Sequence, residues 1–520
     1  MSTVAGTGLL LRHNLRRDRV IVVVWVGLLV VMAYASAAAT SSLYPDLGSQ
    51  LAAVELINDQ PGIVALYGPV EAGANVGALA MSKLTVLYAL FAAVLFVVLV
   101  RRHTRVEEES GRAELVGGTA VGRDAPLAAA VIESAAVAVV LGALCAIVDI
   151  AGGLDVSGSV YFGLSWLGTG LVGMGIAAVA CQLATNARTC AALAAGSLGV
   201  VFVVRAVGDT TSAGWLGWVS PLGWNTRLHA WSDPRPWVLA LYAGLTAALL
   251  VVAQVLRGHR DLGSGLVGAR PGAARGSNRL ASVGALVLRV HVTMVVVWTV
   301  AILALSAFFG AITPGIEGIL KTQAGSRLVH DLGGSMMVAI LSEVAVMVSC
   351  FAVTIVTHAG SDESEQRAEL VLATRQSRGA WFTAVGLLAA VGSTWLLLVA
   401  GVGMWVGYGL AGGEDAHRAL GAALVWAPGA WVVVGMALAG FALAARWAIV
   451  GWAWPFVFMA LALVPPLLDW PGWVAAISPF DHVPMVPVDP MSWTPEIVLT
   501  LVAVAFTAAA WFRLKSRDIG

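Results

Sequence analysis

Lysine is nearly absent: the 520-residue chain has Lys83, Lys321 and Lys515 and no other. A P-loop needs a lysine directly after glycine and before Ser or Thr, because its ammonium neutralises phosphate charge, and none of the three follows a glycine. The sequence therefore predicts no ATPase site on this chain, and no enzyme activity of its own. Charge of either sign is scarce, at 12% of residues with a formal net charge of +0, while 59% are hydrophobic and the mean hydropathy is +0.86. That balance excludes a soluble core with a polar shell. The cysteines, Cys145, Cys181, Cys190 and Cys350, lie in or at the ends of apolar runs without a metal-ligand spacing, so they read as small core residues and no metal is expected. No arginine ladder or selectivity-filter string points to a channel, and nothing calls for nucleic acid.

What is present is apolar length. Windows of about 20 apolar residues, enough to cross a hydrocarbon core roughly 30 Å thick, fall near 20–39, 81–100, 126–150, 159–182, 190–207 and 236–256, and again near 290–310, 334–357, 381–408, 419–442, 447–468 and 495–512. The expected fold is an all-α polytopic membrane protein of twelve transmembrane helices. Arginine sorts between alternate loops. Arg12, Arg16, Arg17 and Arg19 precede the first span, Arg101, Arg102, Arg105, Arg112 and Arg123 follow the second, and Arg513, Lys515 and Arg517 end the chain. The positive-inside rule then places both termini in the cytoplasm. The opposite loops carry mainly acid, including Asp46, Glu55, Asp59 and Glu71. The excess of arginine over lysine and the abundance of alanine suit GC-rich bacterial coding, and hence a bacterial cytoplasmic (inner) membrane.

The spans are two tandem sets of six. Glu108-Glu109-Ser110-Gly111-Arg112-Ala113-Glu114-Leu115-Val116 recurs as Glu363-Ser364-Glu365-Gln366-Arg367-Ala368-Glu369-Leu370-Val371 at an offset of 255 residues. Val22-Val23-Val24-Trp25 recurs as Val295-Val296-Val297-Trp298, and Arg260-Asp261-Leu262-Gly263 as Arg517-Asp518-Ile519-Gly520. Matches in one order at nearly the same spacing mark a duplication. The halves are 1–256 and 289–520, joined by a Gly/Ser/Pro/Arg-rich cytoplasmic linker, 257–288. An even number of spans per half gives both copies one orientation, with a pathway expected on the pseudo-twofold axis between them. Each half also has an aromatic fifth-to-sixth connection, 208–235 and 469–494, carrying Trp215, Trp218, Trp224 and Trp231 in one and Trp470 and Trp473 in the other. Two readings stand: a tryptophan belt at the outer interface, or an external gate.

The duplicated acidic stretch places Glu108 four residues before Arg112, and Glu363 four before Arg367, the favoured helical order for such a pair. Its retention in both copies, with Glu114 and Glu369 following, argues for a shared docking role over a solvated loop. The two stretches resemble the segment between the second and third helices of type-two ATP-binding-cassette exporter permeases, whose usual form is an acidic run, Gly-Thr, a Glu, a Leu pair, Thr-Pro and Ser-Arg. The chain departs from it at Arg112 and Arg367, where Thr is common, at Gln366 in place of Gly, and in lacking the Pro. The fused twelve-helix form is similar to the polyketide-antibiotic (tetronasin-type) exporter permeases. The resemblance implies that 101–124 and 358–379 hold coupling helices on which two copies of a separate nucleotide-binding ATPase subunit rest, with Glu108, Arg112, Glu114, Glu363, Arg367 and Glu369 as the coupling residues. ATP and Mg would then belong to those partners, and this chain would carry no cofactor.

The resemblance further implies that the second and fifth helices of each half line a pathway for a bulky hydrophobic small molecule. Tyr88, Phe91, Phe96, Phe202, Met337, Glu343, Met347, Phe351, Trp454 and Phe458 lie there, and aromatic and methionine walls adapt to such ligands. The rival is a proton-coupled secondary drug transporter using Glu133, Asp149 or Glu343, since intramembrane carboxylates are costly in lipid. Against it, the repeat puts Leu388 and Tyr88 at the positions matching Glu133 and Glu343.

Overall fold

A computed structural model describes residues 2–43, 46–71, 75–261, 263–266, 280, 282–319, 335–467 and 473–517. The expected linker lies largely outside these residues, as do Lys321 and Trp470. The chain divides into two compact units at residue 272/273.

In the first unit the spans are α1 (Thr7–Leu43), α4 with α5 (Val76–Lys83 and Ala89–His103), α8 (Ala125–Ala151), α9 (Val156–Leu183), α10 (Ala187–Thr210) and α13 (Val238–Gly258). Short helices α2 (Leu47–Asn58) and α3 (Pro61–Tyr67) precede α4; α6 (Arg105–Glu109) and α7 (Arg112–Gly117) follow α5; α11 (Leu216–Val219) and α12 (Gly223–Arg227) follow α10. The second unit repeats the plan with α14 (Val283–Ile319), α15 (Met336–Ser364), α16 (Arg367–Leu372), α17 (Arg378–Leu410), α18 (Ala419–Leu424), α19 (Ala427–Leu443), α20 (Ala453–Leu467) and α21 (Trp493–Ser516). Among the described residues eleven helical stretches are long and apolar enough to cross a membrane. Over the twelfth expected span, near 447–468, the described residues form a 3-10 stretch, Ala445–Trp452, followed by α20, and Leu468 lies outside the described residues.

Packing repeats as well. In each unit the first span lies along the third and the fourth along the sixth. Lipid supplies no hydrophobic drive between helices, so close approach depends on small residues. Gly142 and Gly163 face each other across α8 and α9, and Gly407 faces Ala307 across α17 and α14; at each a Cβ would meet an opposite carbonyl oxygen.

The second span is interrupted by a π-helical turn, Leu84–Tyr88, whose freed carbonyls find side-chain donors. Trp166 Nε1 donates to the Leu84 carbonyl at 3.2 Å and Asn225 Nδ2 to that of Thr85 at 2.8 Å. Asn225 belongs to the aromatic connection, so that connection folds into its own half. Trp224 and Trp231 are buried at 6% and 8% exposure, while Trp215 remains 66% exposed. A tryptophan belt therefore describes Trp215 and not its neighbours. At the same end Arg205 is fully buried, 3.1 Å from Asp209 and bonded to the Val64 and Ala65 carbonyls, so it pins α3 against α10.

Candidate functional site

The duplicated acidic segments are a charged feature that both halves build alike. In the first half α5 ends at Thr104 and α6 carries Glu108. Gly111 then takes a left-handed conformation (φ 74°) that turns the chain into α7. In the second half α15 runs on through Glu363, and Gln366 makes the same left-handed turn (φ 60°) into α16. Glycine adopts this conformation freely, whereas a side chain costs about 1–2 kcal/mol there. The geometry is thus kept where the residue type is not.

That turn overrides the expected pairing of residues four apart. Glu108 does not meet Arg112, and Glu363 does not meet Arg367, because the helix is broken between them. Arg112 reaches Glu107 at 3.6 Å, and Arg367 pairs with Asp362 (2.8 Å) and Glu365. The hydrogen bond and charge of Asp362 hold the Arg367 guanidinium pKa above its usual value.

Glu108 and Glu363 instead face inward to the end of their own half. Arg260 Nη2 lies 2.6 Å from Glu108 Oε1 and its Nη1 2.7 Å from Oε2, while its Nε donates to Gln182 at 2.8 Å. Arg105 Nη1 adds a second contact to Glu108 Oε2 at 2.6 Å. In the second half Arg517 Nη2 lies 2.6 Å from both Glu363 oxygens, with its guanidinium 5.5 Å above the Phe441 ring. Both carboxylates are nearly enclosed, with side chains 7% and 8% exposed. The two arginines are the first residues of the duplicated Arg-Asp-Leu/Ile-Gly strings. The recurrence of those strings marked a repeat; their pairing with the acidic segments was not legible, since partners some 150 residues apart leave no local spacing.

What the segments present outward is therefore Arg112 and Glu114 on α7, and Arg367 and Glu369 on α16, all exposed. With them stand Leu115 and Leu370, 77% and 76% exposed, which the sequence reading did not single out. Their signal was a leucine at one place in both charged copies. Behind α7 lies a cavity of about 510 Å³ lined by Leu10, Asn14 and Arg17 of α1, Ala113 and Val116 of α7, and Arg257. The α7 helix is thus anchored through Glu108 and weakly backed elsewhere.

The expected pathway residues divide. Phe96 and Phe351 are fully buried within their own halves, Phe351 edge-on to Trp298, and each ring occupies space left by a glycine, Gly170 and Gly392. Met337 and Phe458 are also buried, Phe458 between Trp454 and Phe480. Phe202 lies under the Arg205 guanidinium, 4.9 Å away. Tyr88 and Phe91 pack edge to face, with Phe91 49% and Met347 40% exposed, and Glu343 is half-buried.

Comparison with known proteins bears on this arrangement. Residues 280–515 match the family described as "Multidrug efflux system permease Rv1217c, C-terminal domain". Over 525 aligned residues the chain is 34% identical to the multidrug efflux system permease protein Rv1217c of Mycobacterium tuberculosis, an alignment covering 99% of this chain and 95% of that one.

Proposed function

Since this chain belongs to the family of the multidrug efflux system permease Rv1217c, we propose that it is the permease subunit of an ATP-driven exporter of bulky hydrophobic compounds. Its energy comes from two copies of a separate ATPase subunit. The relative's name speaks of multidrug efflux, which agrees with the expected export of bulky hydrophobic compounds, polyketide antibiotics or a wider range of drugs. Polyethers of the tetronasin type are one class to test within it.

The observation that carries the reading is the duplicated presentation of Glu114-Leu115 and Glu369-Leu370 on short helices, each held by a buried glutamate–arginine pair. A solvated loop gains nothing from an exposed leucine, whereas a docking helix does, because apolar area buried on contact contributes about 25 cal/mol per Å². Closure of soluble subunits moves membrane helices only through contacts that differ in free energy between states. A helix tied at one end to the close of its six-helix half transmits such a difference to that half. With the arginine-rich ends in the cytoplasm, as positive-inside bias implies, both helices face the compartment that holds ATP.

The test is co-expression with a candidate ATPase subunit. The Glu114→Lys/Glu369→Lys double variant should insert normally, yet lose ATPase from the purified complex or separate hydrolysis from export. Each single variant should be milder. Wild-type assembly, stimulated hydrolysis and export in the double variant would refute the docking role. Efflux in sealed vesicles that persists without ATP and collapses with an uncoupler would favour the proton-coupled rival.

A further inference from the structure

Beside the anchored segment, at the arginine-rich end of the first half, three spans bring an unusual donor set together. Asp18 of α1, His103 of α5 and Glu133 of α8 are buried, at 0%, 5% and 0% exposure. His103 Nε2 lies 2.7 Å from Asp18 Oδ2 and 3.6 Å from Glu133 Oε2. One donor atom from each residue lies within 4.8 Å of the other two. Asn14, one turn before Asp18, is also buried and adjoins the Glu133 carboxylate.

Two carboxylates stand here beside one guanidinium. Arg102 Nε, 2.9 Å from Asp18 Oδ1, balances one carboxylate. Among the described residues no cation lies within hydrogen-bond distance of the Glu133 carboxylate, whose polar neighbours are Asn14 and, at 3.6 Å, His103. A buried carboxylate left so is strongly disfavoured, most of all in a membrane span. A proton on His103 would serve Asp18 at 2.7 Å but leave Glu133 beyond hydrogen-bond reach. A single metal ion among the three donors serves all of them: bonds of about 2.0–2.2 Å to nitrogen and oxygen place ligand atoms roughly 3–3.5 Å apart, so binding would open the 2.7 Å His103–Asp18 contact and close the 3.6 Å His103–Glu133 one by small side-chain movements. Imidazole with two carboxylates suits a divalent transition ion rather than calcium or magnesium, and the Arg102 contact orients Asp18 as outer partners orient metal ligands.

We propose that Asp18, His103 and Glu133 form a binding site for a divalent transition-metal ion, of the zinc or manganese class, that staples the first three spans of the first half. The duplication supports a site confined to that half. Repeat offsets put His291 and His358 at the places of Asp18 and His103, their rings 5.5 Å apart, and Leu388 at that of Glu133. The second copy thus keeps a pair of histidines, His291 buried and His358 half-buried, but lacks both acids. Sequence reading singled out Glu133 alone, because the three residues lie on separate helices.

The experiment uses the full chain, purified in detergent, stripped with a chelator, loaded with Zn²⁺ or Mn²⁺ and passed over a desalting column before elemental analysis. Wild type should retain a single equivalent of one of these ions and melt at a higher temperature when loaded. His103→Gln and Glu133→Gln should lose both the retained ion and the thermal shift. Gel filtration of the stripped variants shows that they remain folded, and Leu388→Gln, in the matching position of the second half, should bind as wild type does. Retention of neither ion by wild type, or equal retention by the His103 and Glu133 variants, would overturn the site. A wild type that takes up no metal but loses thermal stability as pH rises would also overturn it, in favour of a proton held by the same cluster.

Discussion

Removing the Glu363 carboxylate should loosen the second half more than any change to the exposed charges of α16. Glu363→Ala leaves Arg517, 11% exposed, with its cation against Phe441 and no other carboxylate within ion-pair distance among the described residues. Breaking a buried pair by deleting one partner costs about 3–5 kcal/mol. Because this pair sits at the edge of the helix bundle and keeps some contact with solvent, roughly 2–3 kcal/mol is the expected loss. For a unit of this size each kcal/mol moves the midpoint by about 2–4 °C, so the melting temperature should fall by roughly 4–12 °C. Arg517→Ala should cost a similar amount. The exchanged pair Glu363→Arg/Arg517→Glu should recover about half of either loss, since it restores opposite charges at the same separation. The assay is differential scanning fluorimetry of the detergent-solubilised chain, followed by ATPase co-purification. Single variants within about 1 °C of wild type, or an exchanged pair no better than the singles, would show that the contact contributes nothing, and the anchoring argument would fail with it.

In the first half the same logic predicts an asymmetry: Glu108→Ala strands both Arg260 and Arg105 and should destabilise more than Arg260→Ala, which leaves Glu108 its Arg105 contact. Thermal melting orders the two, and equal or reversed shifts would count against the network. Gln366→Gly should hold or slightly raise stability by relieving a left-handed side chain, whereas Gly111→Gln should lower it by about 1 kcal/mol; the opposite order would mean that the turn is not what fixes the two helices. Leu115→Ser/Leu370→Ser should leave melting unchanged, because both side chains are about three-quarters exposed, while reducing recovery of the ATPase; full recovery would remove the apolar part of the docking face. A cysteine replacing Ser110, with the native cysteines removed, should resist an impermeant thiol reagent in intact cells, and labelling from outside would invert the orientation.

The sequence by itself determined that this is a helical membrane protein made twice. Lipid admits only long apolar helices in such a chain, and strings duplicated in one order at nearly the same offset need no coordinates to be seen. It also located the acidic segments and named Glu114 and Glu369 among their residues. Only the tertiary structure separated Glu108 and Glu363 from those two. A local spacing of four suggested Glu108–Arg112, but the left-handed turn at Gly111 or Gln366 broke that register and handed each glutamate to an arginine at the far end of its half. The same limit hid the Asp18, His103 and Glu133 cluster and the inward fold of Trp224 and Trp231. Periodicity reports which residues share a helix face, while which faces meet is decided by the packing of glycine and alanine ridges between helices, where lipid offers no hydrophobic gradient to choose a partner.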